Sequence, residues 1–531
     1  MRALSGRLIL GIAVACVLLA GCARQRSSSG ASDTLRIAIQ QDARTLNPIL
    51  ASNTVDDFVQ RFMFEPLVSA DAQGNPVPVL ATEVPSLSNG GISGDGLSIT
   101  YHLRGDARWT DGVPVTARDV QFSWQSIMSG NNNAVSHHGY DDISRIDAPN
   151  DRTIVVHLKR PFAPFVSTFF AESDQPYTIV PAHALAKYRS LNEIPFNSAP
   201  TVTDGPFRFE RWLHGDRIIV TANDAFFLGK PKLRRIVIFV VADENTTVNL
   251  LRTRDIDYMF QASILTNPAL RATPGVHVVW VNMNGYEGLG INLRHKPLDD
   301  LRVRTAIAYA IDKSEIMRTL TYGNERMATA DLPDWMWAAN RSLISDPRDV
   351  QKARELMRSA GVAMPLHLVL VTESADVTHK RAAALVQSML KDIGIDVEVK
   401  TYPGDLLYAP AGAGGIINGG NFDLSMWPWY GGVDPDNSSQ FSCESIPPNG
   451  WNESRYCTSG MDALQRAAVT RVDRSARANA YHRIEERVFK DKPVIPFWWQ
   501  RQQEALSVDL EGFSPNPVVE SWNAWQWTIH R

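Results

Sequence analysis

Short segments of apolar residues, some of them alternating with polar residues, recur along the chain and predict β-strands. Residues 35–40 form a short apolar strand, and residues 97–103 alternate before a turn at Gly105-Asp106. Residues 151–159 and 234–241 repeat the strand signal. Short strands are stable only when other segments pack against them. The segments between the strands therefore indicate how the layers of the fold are built.

Apolar residues at helical spacing, set between capping and stopping residues, indicate helices. Three are predicted, over residues 299–318, 349–359 and 379–392. Asp299 or Asp300 is placed to cap the first, and Gly361 and Gly394 end the other two. The last glycine leads straight into an apolar strand at 395–399. Helix, glycine and strand in this order are typical of an α/β fold.

Length and composition indicate how large the folded part is and which class of protein it belongs to. The chain has 44% hydrophobic and 21% charged residues, as globular proteins do. About 510 residues remain after the N-terminal segment discussed next, which is more than one core usually organises, so at least two lobes are expected. The formal charge is -4, and -6 without Arg2 and Arg7. This mild acidity offers no basic surface for nucleic acid.

The N-terminus has the pattern of a lipoprotein export signal. Arg2 and Arg7 precede an apolar run that is too short to span a bilayer, and Leu19-Ala20-Gly21-Cys22 closes it. We therefore expect a signal peptide at 1–21, lipidation of Cys22 and a flexible polar tether at 22–32. An ordinary cleaved signal with an incidental cysteine is the alternative. No later run approaches the length of a membrane span.

Two cysteines are left for the folded part, Cys443 and Cys457. An oxidising compartment permits a disulfide between them. A zinc site is the competing interpretation, but two cysteines without a nearby histidine pair supply too few ligands. We expect the disulfide and no metal or cofactor.

Five ordered blocks carry a resemblance to a known family. They are residues 64–68 with 78–81, 101–104 with 109–120, 203–207, 254–257, and 297–312. In this order they resemble the extracytoplasmic solute-binding proteins of peptide and nickel ABC importers, family 5. The resemblance covers nearly the whole mature chain.

The resemblance implies an α/β, two-lobed fold of the type II periplasmic-binding-protein kind. Lobe I would comprise 33–283 plus 499–531, with an extra subdomain at about 68–177, and lobe II would comprise 284–498. Two crossing segments would form a hinge, and the lobes would close over a solute.

The segment 422–436 is the first candidate for ligand contact. In peptide-binding relatives the matching stretch has a tryptophan, an aspartate that pairs with the ligand's α-amino group, and an Asp-Pro pair. Here Asp434-Pro435 is kept and Trp427 and Trp429 are present, but no acidic residue lies between Trp429 and Val433. Either another carboxylate, such as Asp434 or Asp423, replaces the missing one, or the ligand has no such amine.

The predicted ligand-binding residues come from both lobes, and several of them could instead have a structural role. The set is Asn53, Thr54, Trp427, Trp429, Tyr430 and Asp434. Asn53 and Thr54 could equally cap a helix, and Trp427 could equally be core. Trp335 and Trp337 form a second aromatic group in a proline-flanked loop. His137-His138 lies in an Asn-rich loop, where a surface role is expected.

No catalytic motif competes with this interpretation. Ser388-Met389-Leu390-Lys391 fits the Ser-x-x-Lys pattern, but a Lys-Thr-Gly partner does not follow. We therefore expect a monomeric, non-enzymatic lipoprotein, anchored in the periplasm or at the cell surface, that passes a solute to ABC permease and ATPase subunits. A peptide is the leading ligand. The alternatives are an oligosaccharide or other amine-free solute, and a cell-envelope hydrolase.

Overall fold

The computed structural model describes residues 33–409, 411 and 414–531. The predicted signal peptide at 1–21, the lipidation of Cys22 and the tether at 22–32 lie outside the described residues.

The described strands are β1 Thr34–Ile39, β2 Val68–Ala70, β3 Pro76–Pro78, β4 Ser98–His102, β5 Ile143–Asn150, β6 Thr153–Leu158, β7 Phe207–Leu213, β8 Arg217–Ala222, β9 Arg235–Val240, β10 Tyr258–Ala262, β11 Val276–Ile291, β12 Arg326–Met327, β13 Leu366–Glu373, β14 Ile395–Tyr402, β15 Leu424–Gly431, β16 Val494–Ser507, β17 Leu510–Glu511 and β18 Thr528–Ile529.

Helices cover the faces of the sheets and fill the connections between strands. The α-helices are Thr54–Gln60, Ala117–Met128, Phe165–Thr168, Ala182–Leu185, Glu244–Thr253, Asn267–Arg271, Leu301–Ala310, Lys313–Leu320, Val350–Ala360, Val377–Lys391, Gly404–Leu407, Ile416–Gly419, Ser438–Phe441, Ser459–Thr470 and Arg474–Asp491. Short 3-10 helices lie at Pro48–Leu50, Pro195–Asn197, Ile264–Thr266, Cys443–Ser445 and Ala524–Gln526. Across the described residues, no helix is both long and apolar enough to cross a bilayer.

One large sheet runs through the molecule in the order β14-β13-β15-β11-β16-β10-β1-β9-β8-β7, with β12 paired to β16. The pairs β1/β9, β1/β10, β13/β14 and β13/β15 are parallel, whereas β11 and β16 pair antiparallel with each other and with their other neighbours. The predicted α/β class is therefore correct, because helices connect parallel strands in both halves of this sheet.

The apolar core separates the molecule into two lobes. One cluster gathers side chains from Leu35 to Phe260 together with C-terminal residues such as Trp527, and a second pair of clusters gathers side chains from Tyr286 to Trp499. Trp499 packs with the second lobe, one residue beyond the predicted limit at 498. The exact limits of the lobes stay a prediction.

Strands β4, β6 and β5 form a separate sheet within the predicted subdomain at about 68–177. Its apolar residues nevertheless join the first-lobe cluster, since Tyr101 and Trp109 are buried there with Phe58 and Phe62. The helix Ala117–Met128 begins with a capping box of Thr116 and Asp119. This sheet is thus an extension of the first lobe with a shared core.

The long strands β11 and β16 pass from one lobe into the other. Their register shifts between Asn282 and Tyr286, so β11 bulges where the lobes join. Gly285 lies in this bulge, and a Cβ there would lie 1.8 Å from the Trp429 carbonyl oxygen. Only glycine permits so close an approach of two strands.

The helix predicted over 299–318 is broken in the structure. It divides into Leu301–Ala310 and Lys313–Leu320, with Asp300 capping the first and Asp312 capping the second. The Asp312 carboxylate accepts a hydrogen bond from the Glu315 amide at 2.9 Å, which favours a new helix start over continuation. The prediction of one continuous helix was wrong for this reason.

The predicted disulfide is present, because Cys443 and Cys457 are joined. Replacing both cysteines by serine should lower the free energy of unfolding by about 3 kcal/mol, since the bond closes a short loop in the unfolded chain. Urea unfolding checks this, with dithiothreitol as the internal control. Reductant should destabilise the native chain and leave the double variant unchanged, and equal stability of the two oxidised proteins would contradict the prediction.

Candidate functional site

The two lobes touch at the segment Gly431–Asp436, which follows β15. The Val433 amide donates a hydrogen bond to the Glu172 carbonyl of the first lobe at 3.1 Å. A Cβ on Gly432 would lie 2.8 Å from Ser173 Cα, so the two backbones are in direct contact. The segment predicted as the ligand contact therefore also closes one edge of the space between the lobes.

The first-lobe side of this contact is held rigid by a buried ion pair. Glu172 accepts hydrogen bonds from Arg61 at 2.8 Å and from the Ser69 hydroxyl at 2.6 Å. Arg61 and Glu172 are both buried. A paired and hydrogen-bonded charge of this kind keeps the Glu172 backbone in place for the Val433 amide.

A second contact between the lobes is the ion pair of His138 and Asp436. His138 Nε2 lies 3.1 Å from Asp436 Oδ2. Burial alone would lower the pKa of His138, but the hydrogen bond and charge of Asp436 raise it to about 9. His138 was expected to have only a surface role, and instead it joins the first lobe to the second.

Tyr430 lies near the end of β15, directly before the segment Gly431–Asp436. Its side chain is 48% exposed, yet the surrounding protein raises the pKa of its hydroxyl by desolvation and by the charges of Glu287, Asp376 and Glu373. Of the three predicted contact residues on β15, Tyr430 is the one with an exposed side chain.

Trp427 and Trp429 lie on the opposite face of β15 from Tyr430. They are 6% and 8% exposed and pack in the second-lobe core with Tyr286, Phe441 and Tyr481. Side chains alternate between the faces of a strand, which accounts for the difference from Tyr430. Ligand contact by the two tryptophans stays a prediction, and their burial supports the core role weighed for Trp427.

Asp434 is fully engaged by an arginine. Arg477 donates to its two carboxylate oxygens at 2.8 and 2.6 Å, and Arg477 Nε donates to the Ala468 carbonyl. Asp423, the other proposed substitute, pairs with His295 at 2.9 Å and accepts from the Val369 amide. Both carboxylates are therefore occupied by contacts within the second lobe.

Asn53 and Thr54 lie at the start of the helix Thr54–Gln60. The Asn53 side chain accepts a hydrogen bond from the Asp56 amide at 2.9 Å and so caps this helix. The Thr54 hydroxyl is exposed and donates to Gln261 Oε1 at 3.2 Å. Their role in ligand binding stays a prediction.

Three carboxylates that the sequence did not single out belong to the same region. Asp57 and Asp174 lie in the first lobe, where both charges affect the hydroxyl of Tyr177, and Glu373 ends β13 in the second lobe near Tyr430. Among the described residues no side chain donates a hydrogen bond to them, and Asp174 accepts hydrogen bonds from the backbone of its own residue and of Gln175. The only available sequence signal was the position of Asp57 in the turn after the capping Asn53.

A further cavity of about 310 Å³ lies beside the loop that contains Trp335 and Trp337. Arg326 and Arg341 line it, but Arg326 pairs with Asp334 and Arg341 donates to backbone carbonyls. This cavity lacks the contacts between lobes that define the cleft. Among the described residues, no group of three or more His, Cys, Asp or Glu side chains is arranged to hold a metal ion.

Comparison with known proteins gives a consistent result. The model of the bacterial extracellular solute-binding proteins, family 5 middle, matches residues 75–445. The oligopeptide-binding protein OppA of Bacillus subtilis is 24% identical over 523 residues, covering 92% of this chain and 91% of that protein. The di/tripeptide-binding protein 2 of Pseudomonas aeruginosa is 28% identical over 466 residues, covering 83% and 86%.

A solved structure shares the architecture. The oligopeptide-binding protein AppA of Bacillus subtilis, in complex with a nonapeptide, superposes with a TM-score of 0.81 at 20% identity, covering 95% of this chain and 100% of that one. The predicted two-lobed, type II fold is confirmed by this likeness.

Replacing Gly432 by valine should prevent the lobes from closing, since a Cβ would meet the Ser173 backbone. If the closed population falls tenfold, the apparent affinity for any bound solute falls by about tenfold as well. Calorimetric titration measures this, with Gly130→Val as the control because a Cβ there meets nothing. Unchanged affinity in Gly432→Val would contradict the closed contact.

Replacing Asp434 by asparagine should destabilise the second lobe by about 3 kcal/mol, because Arg477 is left buried without a charged partner. Asp396→Asn, whose side chain is 67% exposed beside His367, is the matched control and should change stability little. Urea unfolding measures both. A stable Asp434→Asn protein that loses only its affinity for free amines would show instead that Asp434 meets the ligand.

Proposed function

Because the chain belongs to the family 5 bacterial extracellular solute-binding proteins, we propose that it captures a peptide between its two lobes and delivers it to an ABC permease and its ATPase subunits. The observation that carries this proposal is the contact of Gly432 and Val433 with Glu172 and Ser173 of the other lobe, directly after the exposed side chain of Tyr430 on β15. The peptide-binding names of the relatives support the choice of ligand class.

The geometry accounts for one part of the proposed function, the closure of the two lobes. A ligand shifts the equilibrium toward the closed form only through contacts that it makes with both lobes at once. Tyr430 comes from the second lobe, and Asn53, Thr54 and Asp57 come from the first. A peptide that bridges these residues stabilises the contact across Gly432. The permease then distinguishes the loaded protein from the empty one by its closed shape.

The place of action follows from the N-terminal pattern together with the family. Members of the family act outside the cytoplasm. We propose that cleavage after Gly21 and lipidation of Cys22 hold the protein at a membrane surface, in the periplasm or at the cell exterior, with 22–32 as the tether. The folded part then acts as a monomer within reach of the permease.

Thermal unfolding with a ligand panel tests the proposal. Di- to pentapeptides, free and N-acetylated, are compared with oligosaccharides, and the solute is recovered and weighed by mass spectrometry. A peptide present at a hundred times its dissociation constant should stabilise the protein by about 2.7 kcal/mol and return unchanged. Stabilisation by oligosaccharides alone would favour the amine-free solute, and a cleaved solute would show a hydrolase.

Tyr430→Ala is the matching variant and should weaken peptide binding by roughly tenfold, as expected when a contacting aromatic side chain is removed. Tyr322→Ala is the control, because Tyr322 is also 48% exposed but follows the helix Lys313–Leu320. Equal affinities of the two variants would contradict the placement of the ligand beside Tyr430.

A further inference from the structure

The two lobes meet at more places than the contact of Gly432 with Ser173. The Ala163 amide of the first lobe donates a hydrogen bond to the Val469 carbonyl of the second lobe at 2.6 Å. Val469 lies in the last turn of the helix Ser459–Thr470 and also packs against the apolar cluster of the first lobe. Both contacts are made by backbone groups, which do not titrate. A titratable pair beside them would make closure depend on pH.

His138 and Asp436 form such a pair. His138 Nε2 in the first lobe lies 3.1 Å from Asp436 Oδ2 in the second. The imidazole also meets the ring of Phe162, the residue before Ala163, edge-on, with the ring centroids 5.6 Å apart. The side chains of His138 and Asp436 are 31% and 8% exposed. The pair therefore crosses between the lobes in a largely buried position, where an ion pair contributes more than at an open surface.

Asp436 is held in place from within the second lobe. Its Oδ1 accepts a hydrogen bond from the Ser438 amide at 3.0 Å, and its own amide donates to Asp434 Oδ1 at 3.1 Å. Asp434 is in turn paired with Arg477. None of these bonds involves the first lobe. Movement of the lobes therefore makes or breaks the bond to His138 and leaves the other bonds of Asp436 unchanged.

His138 is held in the same way from within the first lobe. Its amide donates a hydrogen bond to the Ser136 hydroxyl at 3.2 Å, and the Ser136 amide donates to the Tyr177 hydroxyl at 3.0 Å. The next residue, Gly139, has a φ of +76°, and a Cβ there would lie 2.8 Å from Thr168 Cγ2. The loop thus packs tightly and presents the imidazole to the second lobe in a defined position.

The charged side chains around the pair are mostly carboxylates. They are Asp436 and the pair of Asp434 with Arg477 in the second lobe, and Asp141, Asp174 and the pair of Asp142 with Arg160 in the first. Burial alone would lower the pKa of His138, but the hydrogen bond and charge of Asp436 raise it to about 9. The charges of Asp174 and Asp141 act in the same direction. The closed protein therefore favours the protonated imidazole.

We propose that His138 and Asp436 form a pH-sensitive latch that holds the two lobes closed while the imidazole is protonated. The latch acts on closure, and it depends on the proposed function only because closure retains the solute. With the lobes apart, His138 titrates in the ordinary range of histidine, so its contribution to closure is complete below about pH 6.5 and is lost as the pH rises through the closed-state pKa. Burial would raise the pKa of Asp436, but His138 holds it below its ordinary value, so the carboxylate loses its charge only in strong acid.

Hydrogen exchange of the protein without any solute tests the latch. The Val433 and Ala163 amides both donate across the lobes, and their protection, corrected for the intrinsic exchange rate at each pH, reports the closed population. In the native protein this protection should fall at least about tenfold between about pH 6.5 and about pH 9. In His138→Gln it should change less than about twofold over the same range, because glutamine donates a hydrogen bond but does not titrate.

Asp436→Asn is a second variant, which removes the charge and keeps an oxygen for the Ser438 amide, and it should also lose the pH dependence. His183→Gln is the matched control, because His183 pairs with Asp111 at 2.8 Å inside the first lobe, and it should behave as the native protein does. Native protection that is independent of pH, or an unchanged pH dependence in His138→Gln, would overturn the latch. Failure of every peptide to bind would overturn the peptide assignment alone, since this exchange is measured without a solute.

Discussion

The structure depends on two long strands that belong to both lobes at once. Strands β11 and β16 pair in the first lobe up to Asn282 and again in the second lobe from Tyr286, with a bulge between. The close approach at Gly285 fixes β15 against this bulge, because no other residue leaves room for the Trp429 carbonyl. Any movement of the lobes must therefore bend the sheet here, and the loop after β15 moves with the second lobe.

In the proposed function, this loop couples the movement of the lobes to solute binding. Gly432 and Val433 meet the backbone of Glu172 and Ser173, and Asp436 meets His138. A solute that contacts both lobes at once would shift the equilibrium toward this closed arrangement.

Local signals allowed much of the fold to be predicted and little of the cleft. A short apolar run located β1, which was predicted at 35–40 and is observed at Thr34–Ile39, and Asp349 and Gly361 bound the helix Val350–Ala360 as expected. The pairing of His138 with Asp436 joins residues 298 positions apart, so no neighbouring pattern could indicate it. The burial of Trp429 depends on which face of β15 meets the core.

Hydrogen exchange at the Val433 amide tests the central claim, closure around a solute, most directly. This amide donates to the Glu172 carbonyl of the other lobe, so its protection reports the closed state and not the stability of either lobe alone. The account predicts that exchange at Val433 slows when a bound peptide is present, while amides within β13 and β1 are unaffected. Exchange at Val433 that is identical with and without a bound peptide would contradict the account.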